Sequence, residues 1–266
     1  MYGKSGVEFP RRIACLSSEH VELCYALGAG DRVVAVPGTV RRPPEARDKP
    51  KIGGFTSFRS DRILDLRPDL VLAFSDLQAE VAADLIRAGA TVFCSNQRSV
   101  EDILQTVLMV GGLLGLEGAA RDLVLDMRDE IAQVREFSSV WPDRPRVYFE
   151  EWPDPMIAGI RWVSEIVEIA GGRDIFAELR EGKTAPERII DGAEVVKRDP
   201  QIILASWCGK PVDLDAIGKR PGWEQTSAVR AGQVHAVDGS DILSPGPSVL
   251  VGLRHIHEIV QRHLER

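Results

Sequence analysis

The sequence lacks the marks of several common chemistries. Its four cysteines (Cys15, Cys24, Cys94 and Cys208) show no C-x-x-C spacing, and disulfide frameworks belong to small secreted chains. Cys15 and Cys24 sit in apolar contexts and read as plain core thiols. Basic residues form only the pairs Arg11-Arg12 and Arg41-Arg42, and the net charge is −7, which argues against nucleic-acid binding. No apolar run approaches the roughly 20 residues that span a bilayer, so no transmembrane segment is expected. The opening MYGKSGVEFPRR has no apolar core of a secretory signal. As written the chain reads as cytoplasmic, unless a leader was removed. H-E-x-x-H, G-x-S-x-G, G-x-G-x-x-G and the phosphate loop are all missing.

What is present is an organised α/β pattern at 44% hydrophobic and 27% charged residues, the balance of a globular chain. Residues 201–210, QIILASWCGK, run apolar into Ser206, Trp207 and Cys208. Such a run reads as a strand of a parallel sheet, buried on both faces, with polar and aromatic groups just past its carboxyl end. A gapless fifteen-residue twin lies upstream: RILDLRPDLVLAFSD at 62–76 against EVVKRDPQIILASWC at 194–208. Ile63-Leu64 match Val195-Val196, Pro68 matches Pro200, and Leu72-Ala73 match Leu204-Ala205. Each unit is a short helix, a proline turn and a buried strand.

Around these units the periodicity predicts further strands at 12–16, 33–36, 91–94, 146–150 and 234–237. It predicts helices at 17–27, 77–88, 99–114, 162–170 and 248–264. Ser17 or Ser18 is the expected N-cap of the first helix. Residues 37–60, rich in proline and glycine, read as a loop, and loops this long are usually functional or mobile. Gly115–Gly118 interrupts the pattern. Leu123, Met127, Ile131 and Val134 then mark a helix over 119–137, about 28 Å long at 1.5 Å per residue. The second half opens on RVYFE and a polar turn at 151–155, laid out like residues 12–19. Residues 186–190 read as extended. The domains expected are an N-terminal α/β lobe (1–114), a connecting helix (115–140) and a C-terminal α/β lobe (141–266). The sheets are mainly parallel, and a ligand cleft lies between the lobes.

In open α/β sheets ligands bind beyond the carboxyl ends of strands. That rule selects Ser17, Ser18, Glu19, Phe55, Thr56, Ser57, Phe74, Ser75, Asp76, Asn96 and Gln97 in the first half. In the second half it selects Glu151, Trp152, Arg161, Trp162, Trp207 and Cys208. Flat aromatic faces with a few amides and hydroxyls suit a broad amphipathic chelate. Trp207 and Trp152 are the best aromatic candidates, and each tryptophan reads equally as a ligand-facing ring or as core or rim packing. Cys208 reads as a soft-metal ligand, a nucleophile, or a small residue in a tight turn. Glu19 with Glu150-Glu151 reads as a carboxylate set for a cation, or as capping and solvated acids. His20 reads as cleft-facing or as a solvated helix residue.

The order of elements resembles the solute-binding proteins of ABC importers for cobalamin and ferric siderophores, the class in which one long helix joins two lobes. The resemblance rests on RIACLSSEHVELCYALG at 12–28, on Asp31 to Val36, and on Pro43-Pro44 followed by Lys51-Ile52-Gly53-Gly54-Phe55. The helix–Pro–strand of 63–73 and Ala170-Gly171-Gly172 with Ile175-Phe176 complete it. It implies non-catalytic binding of a cobalamin-like corrinoid or ferric chelate, with no cofactor, and a periplasmic location if a leader was removed. It also implies docking onto an ABC permease through one acid per lobe. The first falls at Asp61 and the second at Ala193, where Glu194 is the neighbouring acid. Two other readings stand beside it. One is a binder of a bare metal or small anion on the same fold, without transporter docking. The other is an enzyme using Cys208.

Overall fold

The computed structural model describes residues 8–266. The first compact unit takes the described residues up to Gln97 together with Asp102–Asp126, and the second takes Arg98–Glu101 and Met127–Arg266.

The first unit is built on a four-stranded sheet of β1 (Ile13–Cys15), β2 (Val33–Ala35), β3 (Leu70–Phe74) and β4 (Val92–Ser95), in the order β2-β1-β3-β4. Every pairing is parallel, with Ile13 opposite Leu70 and Val71 opposite Val92. All five residues of β3 are buried, as a continuous apolar run in a sheet covered on both faces requires. The connecting helices are α1 (Ser18–Ala26), α2 (Ser60–Asp65) and α3 (Ala79–Arg87). Gly28, at φ +80°, supplies the left-handed turn that ends α1. Ala14, Leu16, Ile63, Val71 and Leu85 form one core cluster.

Next come α4 (Val100–Leu114) and α5 (Glu117–Ser139). The break between them is shorter than the glycines suggest: Gly115 turns the chain at φ +70°, and Gly118 is already inside α5. That helix has 23 residues, about 34 Å at 1.5 Å per residue. The boundary between the units falls within it, after Asp126.

The second unit repeats the sheet plan. Its strands are β5 (Arg146–Pro153), β6 (Met156–Ala158), β7 (Arg173–Asp174), β8 (Ile202–Ala205) and β9 (Val234–Ala236). β7, β8 and β9 add parallel to the β5–β8 core, so that β5, β8 and β9 sit as β1, β3 and β4 do. The twin segments fall on α2–β3 and on α7 (Gly192–Arg198) with β8. Ile63 and Val195 are both fully buried. Arg67 and Asp199, the matched residues before the matched prolines, are both left-handed at φ 48° and 44°.

The two halves differ after the opening strand. Residues 151–155 are not a polar loop leading to a helix: β5 continues to Pro153 and turns back antiparallel as β6. Residues 185–188 form a 3₁₀ turn rather than extended chain, and extension is confined to Ile189, which bridges Ile157. The remaining helices are α6 (Arg161–Ile169), α8 (Leu214–Gly218), α9 (Ser227–Arg230), α10 (Gly239–Ile242) and α11 (Val249–Leu264). Tyr148, Phe176, Val195, Ile203 and Trp223 centre the core of this unit. No helix among the described residues is long and apolar enough to cross a membrane.

Candidate functional site

In each sheet the chain order reverses at one pair of neighbouring strands, β1 beside β3 and β5 beside β8. The carboxyl ends flanking such a switch point are where this fold class takes its ligands.

In the first unit the ends of β1 and β3 are tied together by Gln78, which no motif or strand-end position singles out. Its amide nitrogen donates to the carbonyls of Leu16 (3.0 Å) and Phe55 (2.9 Å), and its Oε1 accepts from the N–H of Phe74 (3.0 Å). The orientation of the amide follows from chemistry, since a carbonyl can only accept and an N–H can only donate. The Phe55 ring then lies 6.2 Å from that of Phe74. Phe55 is half-buried, and Thr56, Ser57, Asp76 and Asn96 are exposed. Ser18, also half-buried, shares a 3.3 Å hydroxyl contact with Thr39.

Other expected residues turn inward: Phe74 lies within the doubly covered strand β3, and Glu19 sits on the packed face of α1. Ser17, Glu19, Phe74, Ser75 and Gln97 are buried. Ser17 makes no N-cap bond; its Oγ lies 2.8 Å from His20 Nδ1, and His20 Nε2 lies 3.1 Å from Ser95 Oγ. His20 is therefore neither cleft-facing nor solvated. It is fully buried, and burial lowers its pKa to about 4. Ser75 sits at φ 63° and accepts from Leu77 N–H, a strained turn of the kind found at ligand sites. Burial raises the Glu19 carboxyl to about 7 against the opposing bond from Ser17, and its Oε1 has no hydrogen-bond partner among the described residues.

In the second unit Trp152 and Trp207 lie past the paired positions Glu150 and Ala205, and both rings are half-buried. The Trp207 indole N–H donates to Glu150 Oε1 at 3.0 Å. Glu150 is fully buried, accepts from Tyr148 at 3.1 Å and pairs with both terminal nitrogens of Arg220. Such a satisfied cluster holds Trp207 in one orientation. The Trp152 N–H bonds the Asp154 carbonyl, and the Lys210 ammonium stands 4.8 Å from its ring centroid, within cation–π range. Trp162 does not belong to this surface: it is buried and its indole donates to Ile242 O at 2.8 Å. Arg161 is half-buried and engaged by Glu165 and Glu181.

The expected carboxylate set does not stand free for a cation. Glu150 is taken by Arg220, and Glu151 by Arg188 (2.7 and 3.1 Å) and by the N–H of Ile160. No group of three or more metal-binding side chains occurs among the described residues. Cys208 lies at the surface, yet partial desolvation of its thiol and the charge of Glu151 raise its pKa, the reverse of what activates a thiol. Cys15 and Cys24 are fully buried free thiols, their sulfurs 4.0 Å apart. Asp61, exposed at the start of α2, is paired with Arg59. Glu194 on α7 is paired with Lys197 and Arg198.

Comparison with known proteins agrees with this fold. A Bacillus subtilis protein described as an uncharacterized ABC transporter substrate-binding lipoprotein, YvrC, is 28% identical over 261 residues, covering 94% of this chain and 80% of the relative. A vitamin B12-binding protein of Vibrio parahaemolyticus is 24% identical over 250 residues, covering 93% and 88%. The solved structure of a periplasmic heme-binding protein from Roseiflexus superposes with a TM-score of 0.82 at 24% identity, covering 97% of this chain and all of the other. The family described as "Periplasmic binding protein" matches residues 13–240. With two α/β sheets of one plan and aromatic groups at their switch points, the chain belongs to the periplasmic binding protein family, and is a solute-binding protein rather than an enzyme.

Proposed function

We propose that the chain binds a broad metal chelate, a cobalamin-like corrinoid or an iron chelate such as heme, as the solute-binding component of an ABC importer. The observation that carries this reading is the aromatic surface at the strand ends of the second lobe: two half-buried tryptophans, one locked by Glu150 and one capped by Lys210. Apolar faces of this breadth suit a macrocycle, and the Lys210 ammonium suits the carboxylates of a heme or the amide carbonyls of a corrinoid. On the first unit's own sheet, Phe55, Thr56, Ser57, Asp76 and Asn96 present a ring, two hydroxyls, a carboxylate and an amide past the strand ends. The names of the relatives, vitamin B12-binding and heme-binding, support the same ligand class. Asp61 and Glu194 are the acids through which the two lobes would meet a permease.

Titration of intrinsic tryptophan fluorescence with cyanocobalamin and with hemin tests the proposal. One of the two is expected to quench saturably at one equivalent. Trp207→Ala or Trp152→Ala should weaken that binding by about tenfold or more, since a buried aromatic contact contributes on the order of 1.5 kcal/mol or more. Quenching that is linear and unsaturated for both compounds would refute the reading.

A further inference from the structure

We infer that Gln78 is the positioning residue of the first lobe's ligand surface, setting the Phe55 ring against Phe74. The inference rests on the chelate reading above for its ligand and on geometry for the rest.

Residues 53–58 form a small turn of their own, in which Gly53 bridges Phe58 and Gly54 N–H bonds Ser57 O. The long loop bearing this turn is joined to the sheet at its base, where Val36 bridges Lys51. The turn itself reaches the strand ends through the Gln78 amide, which binds Phe55 O, Leu16 O and Phe74 N–H together. Gln78 is 1% exposed, and its bonds to Leu16 O and Phe74 N–H are buried, that to Phe55 O part-buried. The left-handed Ser75, its Oγ accepting from Leu77 N–H, bends the chain after β3 into the 3₁₀ turn Asp76–Gln78. That bend returns the Gln78 side chain towards the residues it ties. A ring held in place before the ligand arrives avoids the entropy of ordering its loop on binding. Gln78 would therefore contribute to affinity without touching the ligand.

Two near-isosteric variants test this. Gln78→Met removes all three bonds. Gln78→Glu keeps the acceptor for Phe74 N–H but loses the donation to both carbonyls. In each, amide hydrogen exchange of residues 53–58 should accelerate by about tenfold, the loss of one buried hydrogen bond, while the amides of β1 and of β3 from Leu70 to Ala73 stay as slow as in the native protein; the Phe74 N–H, which loses its acceptor in Gln78→Met, stands outside that comparison. Confinement of the change to the turn separates positioning from general destabilisation. The Kd for whichever of cyanocobalamin and hemin the native protein binds should rise by a similar factor. Unchanged exchange at 53–58, acceleration throughout the sheet, or a loosened turn with unchanged Kd would each overturn the inference. So would native behaviour of Gln78→Glu. If Gln78→Met does not fold, Gln78→Glu decides by the same readouts. If the native protein binds neither compound, the chelate reading fails and takes the ligand half of the inference with it, while the exchange data still decide whether Gln78 holds the turn.

Discussion

Glu19 and His20 are adjacent, buried and opposite in their response to pH. Burial raises the Glu19 carboxyl to about 7, so the folded state holds its proton more tightly than the unfolded chain does. The stability tied to that proton is complete below about pH 4.5 and is lost as pH rises through 7. His20, lowered to about 4, works the other way: its contribution is complete above about pH 6.5 and is lost as pH falls towards 4. Between pH 4.5 and 6.5 the two slopes oppose each other. Glu19→Gln removes the first term, and the variant is expected to be more stable than the native protein at pH 8 by roughly 2 kcal/mol, the gap closing towards pH 5. Urea unfolding at pH 5, 6.5 and 8 measures this. A variant less stable than native at pH 8 would show that the buried carboxylate is compensated by a partner.

At the scale of elements, the β5–β6 hairpin is where the two halves of the chain part company. β5 does not end in a helix turn as β1 does, and the reason lies in residues far along the sequence. Arg188, 2% exposed, reaches back to grip both oxygens of Glu151 and the carbonyl of Ala158. Ile189 and Ile190 then pair with Ile157 and Met156. Arg188→Met leaves Glu151 without its cation and is expected to cost roughly 3 kcal/mol, the usual penalty for breaking a buried pair from one side. The double variant Arg188→Met/Glu151→Met should recover part of that loss, because no charge is then stranded. A double-mutant cycle by chemical denaturation checks it; strict additivity of the two single losses would contradict a coupled clamp.

For the whole molecule, the architecture was legible because it is written twice. The gapless match of 62–76 with 194–208 corresponds to two equivalent helix–strand units, with left-handed residues at matched positions and buried strands at equivalent places in two sheets. Local periodicity read most helices within a few residues. It failed at 151–155, where Arg188 of a distant segment grips Glu151, and at 185–188, where that arginine itself sits in a 3₁₀ turn. The candidate surface was legible only in outline. The strand-end rule selects loops but not the direction of each side chain, so Ser17, Gln97 and Trp162 were selected although they are buried. Gln78, Lys210 and Arg220 escaped selection because their roles depend on long-range contacts. Gln78 joins three segments, and Arg220 reaches Glu150 from 70 positions away.

The central claim is that the strand-end aromatic surfaces of this chain take up a macrocyclic metal chelate. Isothermal titration of the native protein with cyanocobalamin and with hemin, followed in parallel by visible absorbance, tests it most directly. One of them is expected to give a one-site isotherm near one equivalent, with a matching shift of the chelate's own absorption bands. No heat and no spectral shift for either chelate would contradict it.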